Sequence, residues 1–148
     1  MVEIKYRFVE KYMDIVNVLD DIELRYELFL GSLWIENDDK SIAMDWGWIP
    51  LLDFAFCMHY ISNRLNEEAK GEEIFEFTES DATITILRDE DQCELLTSLS
   101  GVRLKMSFAE FREAVRLFCQ KVVDDILSNN ESLKDNAVFK EEMESALH

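Results

Sequence analysis

Residues 75–110 have the sequence FEFTESDATITILRDEDQCELLTSLSGVRLKMSFAE, and this stretch decides the fold class. Apolar residues recur at every second position in up to four short runs, the pattern of half-buried β-strands. Polar turn sequences at Ser80-Asp81, Arg88 to Asp91 and Ser100-Gly101 separate the runs. The apolar positions are Phe75 and Phe77, then Ala82, Ile84 and Ile86, then Cys93, Leu95 and Leu99, then Val102, Leu104 and Met106. Strands joined by such short turns are expected to pair antiparallel.

The end of this stretch predicts the start of a long helix. In Ser107-Phe108-Ala109-Glu110, serine and glutamate have the spacing of a capping box, in which each side chain bonds a backbone amide of the helix start. The following apolar residues recur every three or four positions: Phe108, Phe111, Val115, Phe118, Val122 and Ile126. We therefore expect an amphipathic helix that ends at Asn129-Asn130.

Alternation also marks the N-terminal part of the chain. The pattern predicts strands at 2–9, 22–30 and 33–36, a turn at 37–40 and a short strand at 42–44. Residues 14–20, between the first two strands, form either a short helix or a loop.

A second helix is expected after Pro50. Proline is tolerated in a first helical turn, and Asp53 suits the positive end of the helix dipole. Helical spacing of apolar residues from Leu51 to Leu65 predicts an amphipathic helix that ends near Gly71.

Together these elements predict an α+β fold. We expect one curved antiparallel sheet of about five to seven strands, with two main helices packed on it and a short C-terminal helix. Residues 1–148 form a single domain, because no repeat or linker interrupts the chain. Residues 129–148 are either a loosely attached helix carrying Phe139, Met143 and Leu147 or a frayed tail.

The composition excludes several classes of protein. The chain has 148 residues, 32 acidic and 15 basic, with a net charge of −17 and 48% apolar residues. That apolar content argues against a wholly disordered chain. The shortage of basic residues argues against binding to nucleic acid or to an anionic membrane. The N-terminal residues alternate charged and apolar side chains, so we expect no secretory signal there.

Cysteines and histidines are too few and too scattered to indicate a cofactor site. Cys57, Cys93 and Cys119 lie far apart among apolar neighbours, and the histidines are His59 and His148. Zinc sites usually take four ligands from closely spaced Cys and His, so we expect neither a metal nor a cofactor. Three free thiols fit a reducing cytoplasm.

No motif in the chain indicates catalysis. The adjacent carboxylate pairs lie near turns and point different ways, and no serine or cysteine motif frames His59. The four glycines form no phosphate-binding loop. We expect the protein not to be an enzyme.

Negative charge is concentrated in one segment. Residues 67–94 carry 11 acidic and 2 basic residues, net −9. Solubility alone could explain this charge. Concentrated charge repels itself, however, so a basic protein partner is a reasonable alternative. The candidate partner-binding acids are Glu72, Glu73, Glu76, Glu79, Asp81, Asp89, Glu90 and Asp91.

The sequence Trp46-Gly47-Trp48 directly precedes Pro50. Its two indole rings either cover the core edge and clamp the helix entry or form an exposed aromatic anchor beside acidic residues. The second interpretation makes Trp46 and Trp48 candidate partner-binding residues, because tryptophan is common at binding hot spots.

The layout of strands, a helix after the Trp-Gly-Trp turn, acidic hairpins and a final capped helix resembles the small acidic bacterial immunity proteins of polymorphic and contact-dependent toxin systems. That resemblance implies a cytoplasmic protein without catalytic activity, which neutralises a basic, nuclease-type toxin domain by direct binding. Two other classes stay open: a cytosolic adaptor or regulatory subunit whose charge serves solubility, and a small hydrolase with a carboxylate site. No site residue is carried over from the resemblance.

Overall fold

The computed structural model of the chain describes residues 1–9 and 20–147, which have the expected α+β class. The elements occur in the order β1 (Val2–Phe8), β2 (Leu30–Asn37), β3 (Lys40–Pro50), α1 (Leu51–Asn66), β4 (Lys70–Glu76), β5 (Thr83–Asp89), β6 (Gln92–Thr97), β7 (Arg103–Ser107), α2 (Phe108–Asn129) and α3 (Ala137–Ala146).

The strands form two antiparallel sheets, so the expectation of one curved sheet is wrong. One sheet has three strands in the order β1-β2-β3, and the other has four in the order β4-β5-β6-β7. Helix α1 connects the two sheets along the chain. Strands β2 and β7 approach each other without a ladder, and the Asn37 side chain donates a hydrogen bond to the carbonyl of Lys105.

The second half of the chain follows its local pattern closely. Strands β4 to β7 form successive hairpins. The capping box at the start of α2 is confirmed: the Glu110 amide donates to Ser107 Oγ at 3.0 Å, and the Ser107 amide donates to Glu110 Oε1 at 3.2 Å. Helix α2 ends at Asn129, as expected.

The strand predicted at 22–30 is wrong. A π-helical turn occupies Glu23–Glu27, and β2 begins only at Leu30. The Asp20 carboxylate accepts a hydrogen bond from the Glu23 amide, which fixes the start of this turn. Phe29 then adopts a positive φ of 58°, and its carbonyl accepts the amide of Leu51. The alternating apolar residues therefore do not share one face. The prediction for residues 14–20 falls, except at Asp20, outside the described residues.

Three boundaries also differ from the predictions. The short strand expected at 42–44 is part of the eleven-residue β3, which includes the Trp-Gly-Trp sequence instead of leaving it as a turn. Gly47 has a φ of 77°, and its amide donates to Ser32 Oγ at 3.0 Å, so the strand bends there without ending. Helix α1 ends at Asn66 and not near Gly71, because Gly71 already belongs to β4.

The short C-terminal helix that the sequence predicts is present as α3, so the alternative of a frayed tail is wrong for this segment. A 3-10 helix at Glu131–Asp135 precedes α3, and the Asn136 side chain caps α3 by accepting the amide of Phe139. Leu133 and Phe139 are buried.

Aromatic rings join the helices to the four-stranded sheet. The Phe54 ring of α1 is fully buried, with its centroid 5.0 Å from that of Phe75 and 5.7 Å from that of Phe118 on α2. The α1 carbonyl of Ala55 accepts a hydrogen bond from the Cys119 thiol of α2. These contacts place both main helices against one continuous core.

The capping box yields a first prediction. Replacing Ser107 by alanine removes the acceptor for the Glu110 amide, and we expect the free energy of unfolding to fall by about 0.5–2 kcal/mol. Ser107→Asp keeps an acceptor oxygen at the cap and should restore most of the loss. Urea denaturation of the three proteins measures this, and equal midpoints would place the helix start elsewhere.

Two glycines provide a matched second prediction. A Cβ at Gly31 would lie 2.2 Å from the Arg7 carbonyl oxygen and 2.7 Å from Leu51 Cδ1, whereas a Cβ at Gly101 would meet nothing within 4 Å. We expect Gly31→Ala to lower the free energy of unfolding by about 1–3 kcal/mol, as overpacking does. Gly101→Ala should change it by less than about 0.5 kcal/mol. Thermal and urea unfolding compare the two variants, and a neutral Gly31→Ala would contradict the close approach of β1 to β2.

Candidate functional site

Strand alternation divides the acidic residues of β4 between two faces. Glu72 and Glu76 are exposed and share the outer face of the four-stranded sheet with Ile74. Glu73 lies on the opposite face, where its Oε1 is 3.4 Å from Nε of Arg64 on α1. Glu73 is therefore separated from the outward-pointing carboxylates.

The other predicted acidic residues lie at the two ends of β5. We call one group the β4 carboxylates and the other the turn carboxylates. The β4 carboxylates are Glu76, Glu79 and Asp81, and the turn carboxylates are Asp89, Glu90 and Asp91. Glu72 is opposite Leu87 of β5, two residues from Asp89, and so lies nearer the turn carboxylates. Because β5 has seven residues, its ends are about 20 Å apart at roughly 3.3 Å per residue. A cluster that is continuous in sequence is thus two groups in space.

The two groups differ in their neighbouring cations. Lys70 Nζ lies 3.6 Å from Oδ1 of Asp89, a turn carboxylate. Farther along the sheet, Glu94 is paired with Arg103 and Lys105. Among the residues that the structure describes, no basic side chain is within ion-pair distance of a β4 carboxylate. Within the described residues the β4 carboxylates thus have no ion pair, whereas the turn carboxylates have the one exposed pair at Asp89.

The two tryptophans of β3 lie beside the β4 end that carries these carboxylates. Their rings stack on each other, with centroids 5.0 Å apart. The Trp46 ring packs edge-on against Phe77, at 5.1 Å, in the segment that follows β4. Both rings are half-buried. They therefore connect the two sheets through Phe77 and still leave part of their surface exposed.

A groove with a volume of about 680 Å³ runs along the free edge of β4, the edge that pairs with no strand of the described residues. We call it the β4 groove. Its walls are β4, one side of α1, the end of α3 and the π-helical turn. Three of its lining side chains are large and well exposed: Tyr60 (60%), Ile74 (54%) and Tyr26 (42%). The charged lining residues are Arg25, Asp53, Glu73, Glu76 and Glu142. Four carboxylates face one guanidinium, so the groove has an acidic lining.

An ion-pair network around the buried Asp53 carboxylate lines part of the β4 groove. The Arg25 guanidinium lies 2.6 Å from Asp53 Oδ1 and 3.6 Å from Glu142 Oε2, which ties the π-helical turn to α1 and α3. Burial raises the pKa of Asp53, and the neighbouring Arg25 opposes that rise. The Cys57 thiol donates to the Asp53 carboxylate at 3.8 Å. This network fixes the shape of the groove wall.

A second groove lies between the edge of β1 and α2, with a volume of about 750 Å³. We call it the β1 groove. Its charged lining residues are Glu3, Lys5, Lys121, Asp124 and Asp125, a mixture of both signs. The Tyr6 hydroxyl donates to the Asp125 carboxylate across it. The β1 groove therefore has no strong bias toward a charged partner.

Sequence reasoning did not identify Tyr60, Ile74 or Arg25 as site residues. Of these three residues, only Ile74 could have been recognised from the sequence. It directly precedes Phe75, so its apolar side chain lies on the strand face opposite to that of Phe75 and Phe77 and must point outward. Tyr60 and Arg25 come together with it only through the packing of α1 and the π-helical turn.

The described residues contain no metal-binding cluster and no membrane-spanning helix. In them, no three His, Cys, Asp or Glu side chains converge in a way that could hold a metal ion. None of the helices found there is long and apolar enough to cross a membrane. His59 is half-buried, and its Nε2 lies 3.2 Å from the Asn63 amide nitrogen. Comparison with protein-family models, curated proteins and solved structures finds no match to this chain.

The thiols yield a third prediction. Burial raises the pKa of Cys57 to about 11 and that of Cys93 and Cys119 to about 12. At pH 8 the thiolate fraction of Cys57 is then roughly 200-fold below that of an ordinary thiol. The greater nucleophilicity of a high-pKa thiolate recovers about tenfold. We therefore expect iodoacetamide to alkylate Cys57 about 20-fold more slowly in the native than in the urea-unfolded protein, and the other two cysteines more slowly still. Mass spectrometry of timed samples measures the rates, and equal native and unfolded rates at Cys57 would contradict its burial beside Asp53.

Proposed function

We propose that the protein is a non-enzymatic acidic binding protein, and specifically an immunity protein that neutralises a basic, nuclease-type toxin domain by direct binding. The observation that carries the proposal is the position of the β4 carboxylates. They form no ion pair within the described part of the chain, and they lie next to a groove with exposed aromatic and aliphatic side chains. Charge for solubility alone needs no such neighbours.

The mechanism combines fast encounter with slow release. An acidic surface attracts a basic partner over a distance and raises the association rate. Exposed parts of Tyr60, Ile74 and the tryptophan pair then become buried, and such anchors mainly slow dissociation. A nuclease is basic where it grips phosphate, so a carboxylate array competes for the same lysines and arginines.

The cytoplasm is the location that fits this function. Cys57, Cys93 and Cys119 are free thiols, as in proteins of reducing compartments. An immunity protein there would meet its toxin where the toxin reaches nucleic acid.

Two matched charge reversals test the proposal. One variant carries Glu76→Lys, Glu79→Lys and Asp81→Lys, and the other carries Asp89→Lys, Glu90→Lys and Asp91→Lys. Each changes the net charge from −17 to −11. The partner is first isolated by affinity purification from the native host and assayed for nuclease activity, which the native protein should abolish at a 1:1 ratio. The kinetics of its binding to the three proteins are then measured at two salt concentrations.

We expect the first variant to associate about 10- to 1000-fold more slowly at low salt, and the second to be much less affected. The difference should shrink at physiological ionic strength, where the screening length is about 8 Å. Neither variant should lose stability, since fewer like charges repel. Association rates equal to that of the native protein in both variants would reduce the charge to a solubility function, equal slowing in both would contradict the special role of the β4 carboxylates, and a partner without nuclease activity would contradict the toxin class.

A further inference from the structure

We infer that the free edge of β4 binds an extended basic segment of the partner as an additional β-strand. This inference rests on the proposed function and specifies how that function is carried out. Strand addition supplies affinity through main-chain hydrogen bonds, while pockets for alternate side chains supply specificity.

The hydrogen bonds between β4 and β5 show which backbone groups of β4 point away from β5. The Phe77 amide donates to the carbonyl of Ala82, and the Glu90 amide donates to the carbonyl of Ala69. Both bonds belong to the single register of the β4–β5 ladder. In an antiparallel pair every second residue bonds the neighbouring strand. Residues 71, 73 and 75 therefore face β5, and the amides and carbonyls of Glu72, Ile74 and Glu76 point away from it.

The β4 groove lies on that same side of the strand. Residues 73–76 all contribute to its lining, as expected for a groove along an edge. Its volume of about 680 Å³ is within the usual range of preformed binding clefts, about 300–1,000 Å³. A strand added here would lie about 4.8 Å from β4, between the edge and the side of α1 that carries Tyr60.

The side chains beside this edge define the occupant. On an added strand, residues opposite Glu72 and Glu76 share the outer face with those carboxylates, and the residue between them lies opposite Ile74. Opposite-charge and apolar cross-strand pairs are the favourable ones. The segment should therefore have a basic residue, then an apolar residue two positions later, then another basic residue after two more.

The same edge disfavours a second copy of this chain. The amides that point outward are centred on Ile74. Antiparallel pairing of two copies would therefore place Glu72 of each copy opposite Glu76 of the other. Like charges directly opposite each other destabilise a strand pair. The edge thus repels its own copy and accepts a basic segment.

A proline at position 74 tests strand addition without disturbing the pairing of β4 with β5. The Ile74 amide makes no bond to β5, so Ile74→Pro leaves the β4–β5 ladder intact, as proline does on edge strands. It removes the central donor of the added strand. Ile74→Thr keeps that amide and suits a strand, so it is the matched control.

The probe is a capped synthetic peptide of sequence SKTVTKS, measured by amide chemical shifts of isotope-labelled protein at millimolar peptide. Three further peptides serve as controls: SETVTES, a scramble of the basic peptide, and the basic peptide with N-methylated backbone amides flanking the valine. We expect SKTVTKS to bind the native protein and Ile74→Thr and to protect the amides of Glu72, Ile74 and Glu76 from hydrogen exchange. Ile74→Pro should bind it at least about tenfold more weakly, a loss of about 1.4 kcal/mol.

Equal binding of the acidic or the N-methylated peptide would overturn the inference, as would unchanged exchange at the three amides. The peptide comparison uses the native protein, so it decides the matter even if Ile74→Pro fails to fold. The toxin assay separates the two claims. If Ile74→Pro is folded and still inhibits the partner as tightly as the native protein, strand addition is wrong and the proposed function stands. If SKTVTKS binds as expected but no basic partner is inhibited, the proposed function fails while the edge remains a peptide-binding site.

Discussion

The buried ring of Phe54 is the contact on which the arrangement of the two sheets depends. No ladder of hydrogen bonds joins the sheets in the described part of the chain, so side-chain packing must hold them together. Phe54 contacts Phe75 of the four-stranded sheet, Phe77 just after β4, and Phe118 of α2. Trp46 of the other sheet reaches the same cluster through Phe77. Aromatic pairs of this kind contribute about 0.5–1.5 kcal/mol each beyond the area they bury. The cluster also fixes how far β4 lies from α1, and so it determines the width of the β4 groove.

The ion-pair network that lines that groove is energetically less favourable than apolar packing of this kind. Asp53 is 6% exposed, and its desolvation is offset only in part by Arg25, which is why the pKa of Asp53 is raised. Buried ion pairs often contribute little net stability compared with apolar packing. They do impose one geometry, because Asp53 without Arg25 would be left charged and buried. Here the geometry brings the π-helical turn, α1 and α3 to one point, and these three elements form the wall that faces β4.

This network also shows why the sequence pattern predicts some elements of the fold and not others. Strands β4 to β7 and helix α2 depend on neighbours close in the chain, such as the turns and the Ser107 cap, and their local pattern predicts them well. Residues 22–30 alternate just as regularly, yet Arg25 is held by Asp53 and Glu142, far away in sequence. The alternation gave no sign of these partners. The site shows the same contrast: the sequence located the excess charge, but the pairing of β4 with β5 decided that Glu72 and Glu76 point outward and that Asp89 lies about 20 Å from Glu76.

An unpaired strand edge is ordinarily a hazard, because it offers a template to any other strand, including one from another copy of the same chain. Proteins often block such edges with charge, and β4 has two glutamates flanking its one exposed apolar residue. Charge of a single sign, however, repels some strands and attracts others. It repels acidic and self-derived strands, yet it attracts a basic strand at long range and pairs with it at short range. The residues that protect this edge from aggregation are therefore the ones that would recognise a basic partner, and a net charge of −17 is compatible with both solubility and specific binding.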